Sequence, residues 1–311
     1  MEKDLVGKVA LPTTVQIGMV VRNIDKVMQF YSSAFSIGPW LTRDGETEAK
    51  TPDGRVHKYK TKTAFAHLGP AQLELFQVTE GRSPVHSDWL DKGYEGVHHL
   101  GFFVTEEEKQ RMPAQLVTMG IEVYQERQSN LFMNTVKTGG VFFEFVHTPT
   151  GMPQPPAGPS VAGKVKLPPN LQLGIVVKDV DTVADFYSSA FGIGPWQKRT
   201  GGSEARVDGQ SYVFKTQVAF ATFAGIQLEL FTVTEGSSPV HSVFLDKGRE
   251  GVHHFGFFVS EGEKQRIKQG LAEIGRKVFQ EGEVPKRGRY VFFDTRNPGG
   301  LFFEFVAPLT E

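Results

Sequence analysis

The sequence contains no cysteine. Disulfides, thiolate metal sites and cysteine nucleophiles are therefore excluded. It has no excess of charge either: 34 Lys and Arg stand against 35 Asp and Glu, for a net charge of −1. No global field would draw in nucleic acid or an anionic membrane. No apolar run approaches bilayer length, and the opening stretch, MEKDLVGKVALP, has no apolar signal core. These absences predict a cytoplasmic soluble protein with no nucleic-acid or membrane partner. No Gly-rich phosphate loop, dinucleotide fingerprint or Ser–His–Asp order is found along the chain. Tryptophan and tyrosine are scarce, at 3 and 7, but phenylalanine reaches 26. Phe-rich strands build a core or line an apolar cavity.

What is present is a duplication. EGVHHLGFFV, from Glu95, returns as EGVHHFGFFV from Glu250. FYSSAFSIGPW, from Phe30, returns as FYSSAFGIGPW from Phe186. LELFQVTEGRSPVHS and GGVFFEFV, from Leu73 and Gly139, return from Leu228 and Gly299. The period is far too long for a solenoid, so each copy is expected to be a domain. The boundaries expected are 1–150, a Pro/Gly-rich linker at 151–162, and 163–311. Chain length allows each copy its own core.

Each copy reads as strand–helix–three strands, written twice. In NIDKVMQFYSSAF, Asn23 is placed to cap a helix whose apolar face holds Ile24, Val27, Met28, Tyr31 and Phe35. Gly192 falls where a helix of the second copy ends, and Ser36 takes that place in the first. The fold class expected is α+β, with four βαβββ units in two tandem domains.

Polar residues caught inside the apolar strands form a recurring set. They are Gln16, Glu74, His99 and Glu144 in the first copy, and Gln172, Glu229, His254 and Glu304 in the second. A glutamate inside VFFEFV is costly to bury without a partner. A divalent ion such as Zn, Ni, Co or Mn satisfies such a set, up to two per chain; a buried hydrogen-bonded network is the alternative. Strand alternation allows one histidine of each adjacent pair to face the same interior. Register assigns His99 and His254 to it. His98 and His253 are then expected to point away, against a helix or the surface. His86 and His241, in the repeated PVHS, are expected to order their loop.

These residues resemble the vicinal oxygen chelate superfamily, in which paired βαβββ units curl into half-barrels around a metal. The resemblance covers nearly the whole chain. The stretch from Leu73 to Val104 looks most like methylmalonyl-CoA epimerase. The Gln, Glu, His, Glu order is instead similar to zinc-type glyoxalase I, though the asparagine usual there soon after the second ligand is missing. The resemblance implies a metal-dependent isomerase or epimerase that removes a proton alpha to a carbonyl through a stabilised enolate. It also implies that Glu74 and Glu144, and Glu229 and Glu304, act as both ligands and bases. The alternatives are a glyoxalase I-like lyase, an extradiol-type dioxygenase and a metal-free small-molecule binder. The expected substrate is a small carbonyl compound or an acyl-CoA. Lys60 and Lys215 recur on the third strand, and Lys286, Arg287 and Arg289 cluster in a longer second-copy hairpin; all five are candidates for holding a substrate anion. A monomer and a homodimer both fit.

Overall fold

A computed structural model describes residues 7–156 and 161–309. In the first half the order is β1 (Val15–Val20), α1 (Ile24–Phe35), β2 (Leu41–Lys50), β3 (Val56–Leu68), β4 (Ala71–Gly81), α2 (Pro84–Asp91), β5 (Gly96–Phe103), α3 (Glu106–Val117), β6 (Val123–Glu126), β7 (Asn130–Met133), α4 (Val136–Gly139) and β8 (Phe142–Val146). The second half repeats it: β9 (Gln172–Val176), α5 (Val180–Phe191), β10 (Gln197–Val207), β11 (Gln210–Phe223), β12 (Ile226–Gly236), α6 (Ser242–Asp246), β13 (Gly251–Phe258), α7 (Glu261–Ala272), β14 (Val278–Val284), β15 (Gly288–Asp294), α8 (Arg296–Gly299) and β16 (Phe302–Pro308). The fold is α+β, as four βαβββ units. No described helix is long and apolar enough to cross a membrane.

The helices begin where the sequence says they should. The Asn23 side chain accepts from Lys26 N at 3.0 Å, and Asp179 caps α5 in the same way. Each caps an amide left free in the first turn. Ile24, Val27, Tyr31 and Phe35 are buried, joined by Phe30 and Ala34, while Met28 is only half-buried. Gly192 ends α5 in the left-handed region, and Ser36 adopts the same conformation with φ 58°.

Each half closes its strands into a ring, β1-β4-β3-β2-β6-β7-β8-β5 in the first and the corresponding order in the second. Each ring is two half-barrels of four strands. They join firmly along β1 and β5, which pair antiparallel from Val15 to Val20. The opposite seam is thin: Lys50 faces Glu126 in the first ring, and Glu204–Arg206 faces Glu281–Glu283 in the second. A barrel held on one side and slack on the other leaves a lumen that opens at the slack seam.

The two halves share one apolar core, running from Val9 to Phe305. Helices α1 and α5 supply the junction. Phe35 stacks on Phe303 with ring centroids 4.0 Å apart, and Phe191 stacks on Phe143 at 4.2 Å. Short arms are exchanged as well. Lys8 N and Val9 N donate to the end of α5, while Lys164 N and Val165 N donate to the end of α1. Of the expected linker 151–162, residues 157–160 lie outside the described residues. Before them Pro155 is buried, and the Pro153 carbonyl accepts from the Gln72 side chain.

Candidate functional site

The inward-facing positions of β1, β4, β5 and β8 converge because of strand register. Gln16 pairs with Gly101 across β1 and β5, Gly18 with His99, and Gly101 with Glu144 across β5 and β8. On β4, Glu74 lies beside Gly18. The same pairs recur as Gln172–Gly256, Gly174–His254, Gly256–Glu304 and Glu229–Gly174. Glycine is required under the histidine. A Cβ on Gly174 would sit 1.9 Å from the His254 ring, and one on Gly18 would sit 2.0 Å from His99.

The side chains meet as the sequence expects. His99 Nε2 lies 3.3 Å from Glu74 Oε2 and 3.2 Å from Glu144 Oε2. His254 Nε2 lies 3.4 Å from Glu229 Oε2 and 3.3 Å from Glu304 Oε2. Donor atoms of each trio fall within 4.8 Å of one another. The amides stand beside them with a fixed orientation. Gln16 Nε2 donates to Gln72 Oε1 at 2.7 Å, and Gln172 Nε2 to Gln227 Oε1 at 2.6 Å. That leaves each Oε1 facing inward. Gln72 and Gln227 were not singled out from the sequence, although each stands two residues before its glutamate and so shares its face.

The adjacent histidines part as expected in one respect and not in another. His98 packs against helix α2, its ring 5.2 Å from that of Trp89, but it is fully buried and its Nδ1 also touches His99. A β-bulge allows both contacts. The register of β1 on β5 skips from His99 to Val97, leaving His98 as the extra residue, and β13 skips His253 in the same way. A bulge breaks the period-two rule and re-aims a side chain.

This places the rings in a chain with one consistent tautomer. His98 Nε2 lies 3.0 Å from Val85 O, which only accepts, so Nε2 carries the proton. Burial holds His98 well below the usual histidine range, so its Nδ1 is a lone pair. That Nδ1 lies 3.1 Å from His99 Nδ1, which must donate to it. His99 therefore turns its Nε2 toward the two carboxylates, to which it donates a proton in the metal-free protein. His253, Val240 O and His254 repeat the arrangement at 2.8 and 3.1 Å.

The electrostatics match a missing positive charge. Burial alone would lower His99 and His254, but the flanking carboxylates outweigh it and lift both to about 9. Burial raises the carboxyls of Glu74 and Glu304. In the second half, Gln172 Oε1 and His254 Nε2 are buried with no hydrogen-bond partner. An unpartnered amide oxygen and an imidazole nitrogen beside two carboxylates suit a divalent cation that would displace the imidazole proton, with oxygen and nitrogen donors of the type Zn, Ni, Co and Mn accept. The residues present fit the group.

The other candidate residues lie elsewhere. Lys60 and Lys215 form exposed cross-strand ion pairs with Glu80 at 2.8 Å and Glu235 at 2.9 Å. Arg289 pairs with Glu283, and Lys286 is exposed in the left-handed region of its turn. Of the hairpin cations, Arg287 alone borders the second lumen, a cavity of about 860 Å³ holding Gln172, Glu229, His254 and Glu304. His86 hydrogen-bonds the Ser83 hydroxyl at 2.8 Å, which ties down the start of α2 as expected, and stacks on Phe76 in a buried position. Asn130, unsuspected from the sequence, donates through Nδ2 to Glu144 Oε1.

The family model described as the Glyoxalase/Bleomycin resistance protein/Dioxygenase superfamily matches residues 15–132 and 171–293. No protein with a curated description matches the sequence. Among solved structures, a triple mutant of 4-hydroxymandelate synthase from Streptomyces coelicolor is similar at 13% identity and TM-score 0.55, with 96% of this chain and 94% of that one covered. The halotolerant catechol dioxygenase BphC is similar at 11% identity and TM-score 0.50, covering 97% of this chain and 89% of its own. The Mn(II)-bound glyoxalase from Novosphingobium aromaticivorans is 15% identical at TM-score 0.47, with 97% and 84% covered. At these identities the likeness is one of fold.

Proposed function

The chain belongs to the glyoxalase/bleomycin resistance protein/dioxygenase superfamily, and from that premise we propose that it is a metal-dependent enzyme removing a proton alpha to a carbonyl group, an isomerase or epimerase in outcome. The observation that carries this reading is the pair of converging Gln, Glu, His, Glu sets, with Gln172 Oε1 and His254 Nε2 orphaned between two carboxylates. Gln16, Glu74, His99 and Glu144 would hold one divalent ion, and Gln172, Glu229, His254 and Glu304 a second. When bound, such an ion supplies positive charge against the negative charge that develops on a carbonyl oxygen.

The protein's own groups supply the proton acceptor. A base for carbon acids works best when its pKa is raised toward the operating pH. Burial raises Glu74 in the first lumen and Glu304 in the second, so these carboxylates are the assigned acceptors. Glu144 is held by Asn130, which fixes it as an orienting group. Phe220, Phe231 and Phe292 line the second cavity and give it an apolar wall for the substrate's carbon skeleton. The substrate class is a small carbonyl compound, acyl-CoA thioesters included. A dioxygenase of the two-His-one-carboxylate type needs a second imidazole in the set, and each set has one.

Two measurements test the reading. Elemental analysis of protein purified without chelator should find about two divalent ions per chain. Solvent deuterium should enter the alpha position of carbonyl substrates, and should fail to enter with Glu304→Gln and Glu74→Gln combined. Protein that neither carries nor takes up metal would overturn the proposal.

A further inference from the structure

The two lumens differ at one pair of facing positions. Glu126 faces Leu131 in the first hairpin, and Glu281 faces Val291 in the second. One residue further on, Arg127 therefore stands where the second half has Gly282, and Asn130 stands where it has Tyr290. The pairs are not interchangeable. A Cβ on Gly282 would meet the Glu204 carbonyl of the paired seam and lie 2.5 Å from the Tyr290 hydroxyl, so both require a glycine there. With Asn130 in place of that ring, and a seam reduced to Lys50 and Glu126, the first half has room for a long side chain.

Arg127 fills that room without a partner. Its Nε is buried and makes no hydrogen bond, and among the described residues its guanidinium has no ion pair. Its charge nevertheless acts inside the site. Burial raises the Glu74 carboxyl, and Arg127 is among the groups that pull it back; His86 feels the same charge. A half-buried guanidinium with no anion is costly to maintain. The first lumen is also the tighter one. Thr61 and Phe65 are buried, whereas their counterparts Thr216 and Phe220 are partly exposed. The charge balance then differs. A divalent ion would neutralise Glu229 and Glu304 in the second lumen, whose wall also carries the exposed Arg199 and Arg287. In the first it would neutralise Glu74 and Glu144 and leave over Arg127, whose Nε is buried.

We infer that the first barrel is built for a compact carbonyl substrate bearing a carboxylate, which Arg127 binds, and that the second barrel takes a larger one with no buried arginine to hold a carboxylate. This rests on the metal-site reading above and goes beyond it by assigning different substrate classes to the two sites. The carboxylate meets the guanidinium in the two-pronged manner that arginine favours. The cations of the second half are placed differently: Arg289 is paired with Glu283, and Arg199 and Arg287, on the cavity wall, are exposed to solvent.

The test is calorimetric titration of the Mn²⁺-loaded full chain with pyruvate and with its uncharged methyl ester. Wild-type protein should bind one pyruvate per chain, at least tenfold more tightly than methyl pyruvate. Arg127→Met should remove that preference and leave methyl pyruvate unchanged; Arg127→Lys should retain part of it; Arg287→Met should leave it intact. Unchanged pyruvate affinity in Arg127→Met, two equal pyruvate sites per chain, or loss in Arg287→Met instead would overturn the inference. Manganese content is measured on every sample. If wild-type protein takes up none, the metal reading fails, and the pyruvate-to-ester ratio of the metal-free chain still decides the role of Arg127.

Discussion

The Tyr31 hydroxyl donates to Gly299 O at 2.7 Å, across the boundary between the two halves, and Tyr187 donates to Gly139 O at the same distance. Both rings are fully buried, and burial pushes both phenols far up. The same bond is thus made twice, once in each direction. Each half finishes the other's core.

Tyr187→Phe should leave Gly139 O buried without a donor. The expected loss is about 1–3 kcal/mol, the cost of an unsatisfied buried acceptor. Denaturant unfolding monitored by tryptophan fluorescence would measure it. Because the core is shared, wild-type protein should unfold in one transition. Two separated transitions would show that the halves are energetically independent.

His253→Phe should weaken metal binding at the second site by about 10- to 100-fold, the usual effect of losing the group that orients a ligating histidine. The first site should be unaffected. Chelator competition on the full chain reads both sites, and equal weakening of the two would refute the relay from Val240 O through His253 to His254.

Gly174→Ala should remove metal from the second site while the barrel survives. The new methyl group would overlap the His254 ring, which must swing out of the set. Metal content should fall from about two to about one per chain, with circular dichroism unchanged. Retention of both ions would show that the ring has room to shift.

The pH dependence has a definite sign. In metal-free protein His254 is raised from 6.5 to about 9 despite burial, by its two carboxylates. A group raised on folding adds stability that is complete below its unfolded pKa and is lost as pH rises through the folded one. Glu304, raised by burial, acts in the same direction at lower pH. The chelator-treated chain should therefore lose stability between about pH 6.5 and 9, and metal should bind more tightly across that window as it displaces the proton. Thermal unfolding with and without Mn²⁺ measures both. A metal-free chain that gains stability over this range would contradict the assignment.

Much of this was legible in the sequence because a duplication repeats its signals. Gln16, Glu74, His99 and Glu144 stood out as polar residues in apolar strands, and their recurrence separated them from chance. Recurrence misled where its cause was pairing: Lys60 and Lys215 recur because Glu80 and Glu235 face them on the next strand. His98 packs against α2 as expected, but its contact with His99 was hidden, because the bulge that brings the two rings together has no composition of its own. Arg127 and Asn130 were invisible for the opposite reason. They lie where the copies differ, and only the strand register reveals which residue replaces which.

The exchanged arms and stacked helices have a consequence for assembly. Two single copies of this unit would meet through such a contact as a symmetric pair, each offering the same face. Here both faces belong to one polypeptide and are already spent on each other. The association is concentration-independent, and two unlike lumens can be carried at a fixed one-to-one ratio. Further association between chains has to recruit some other surface.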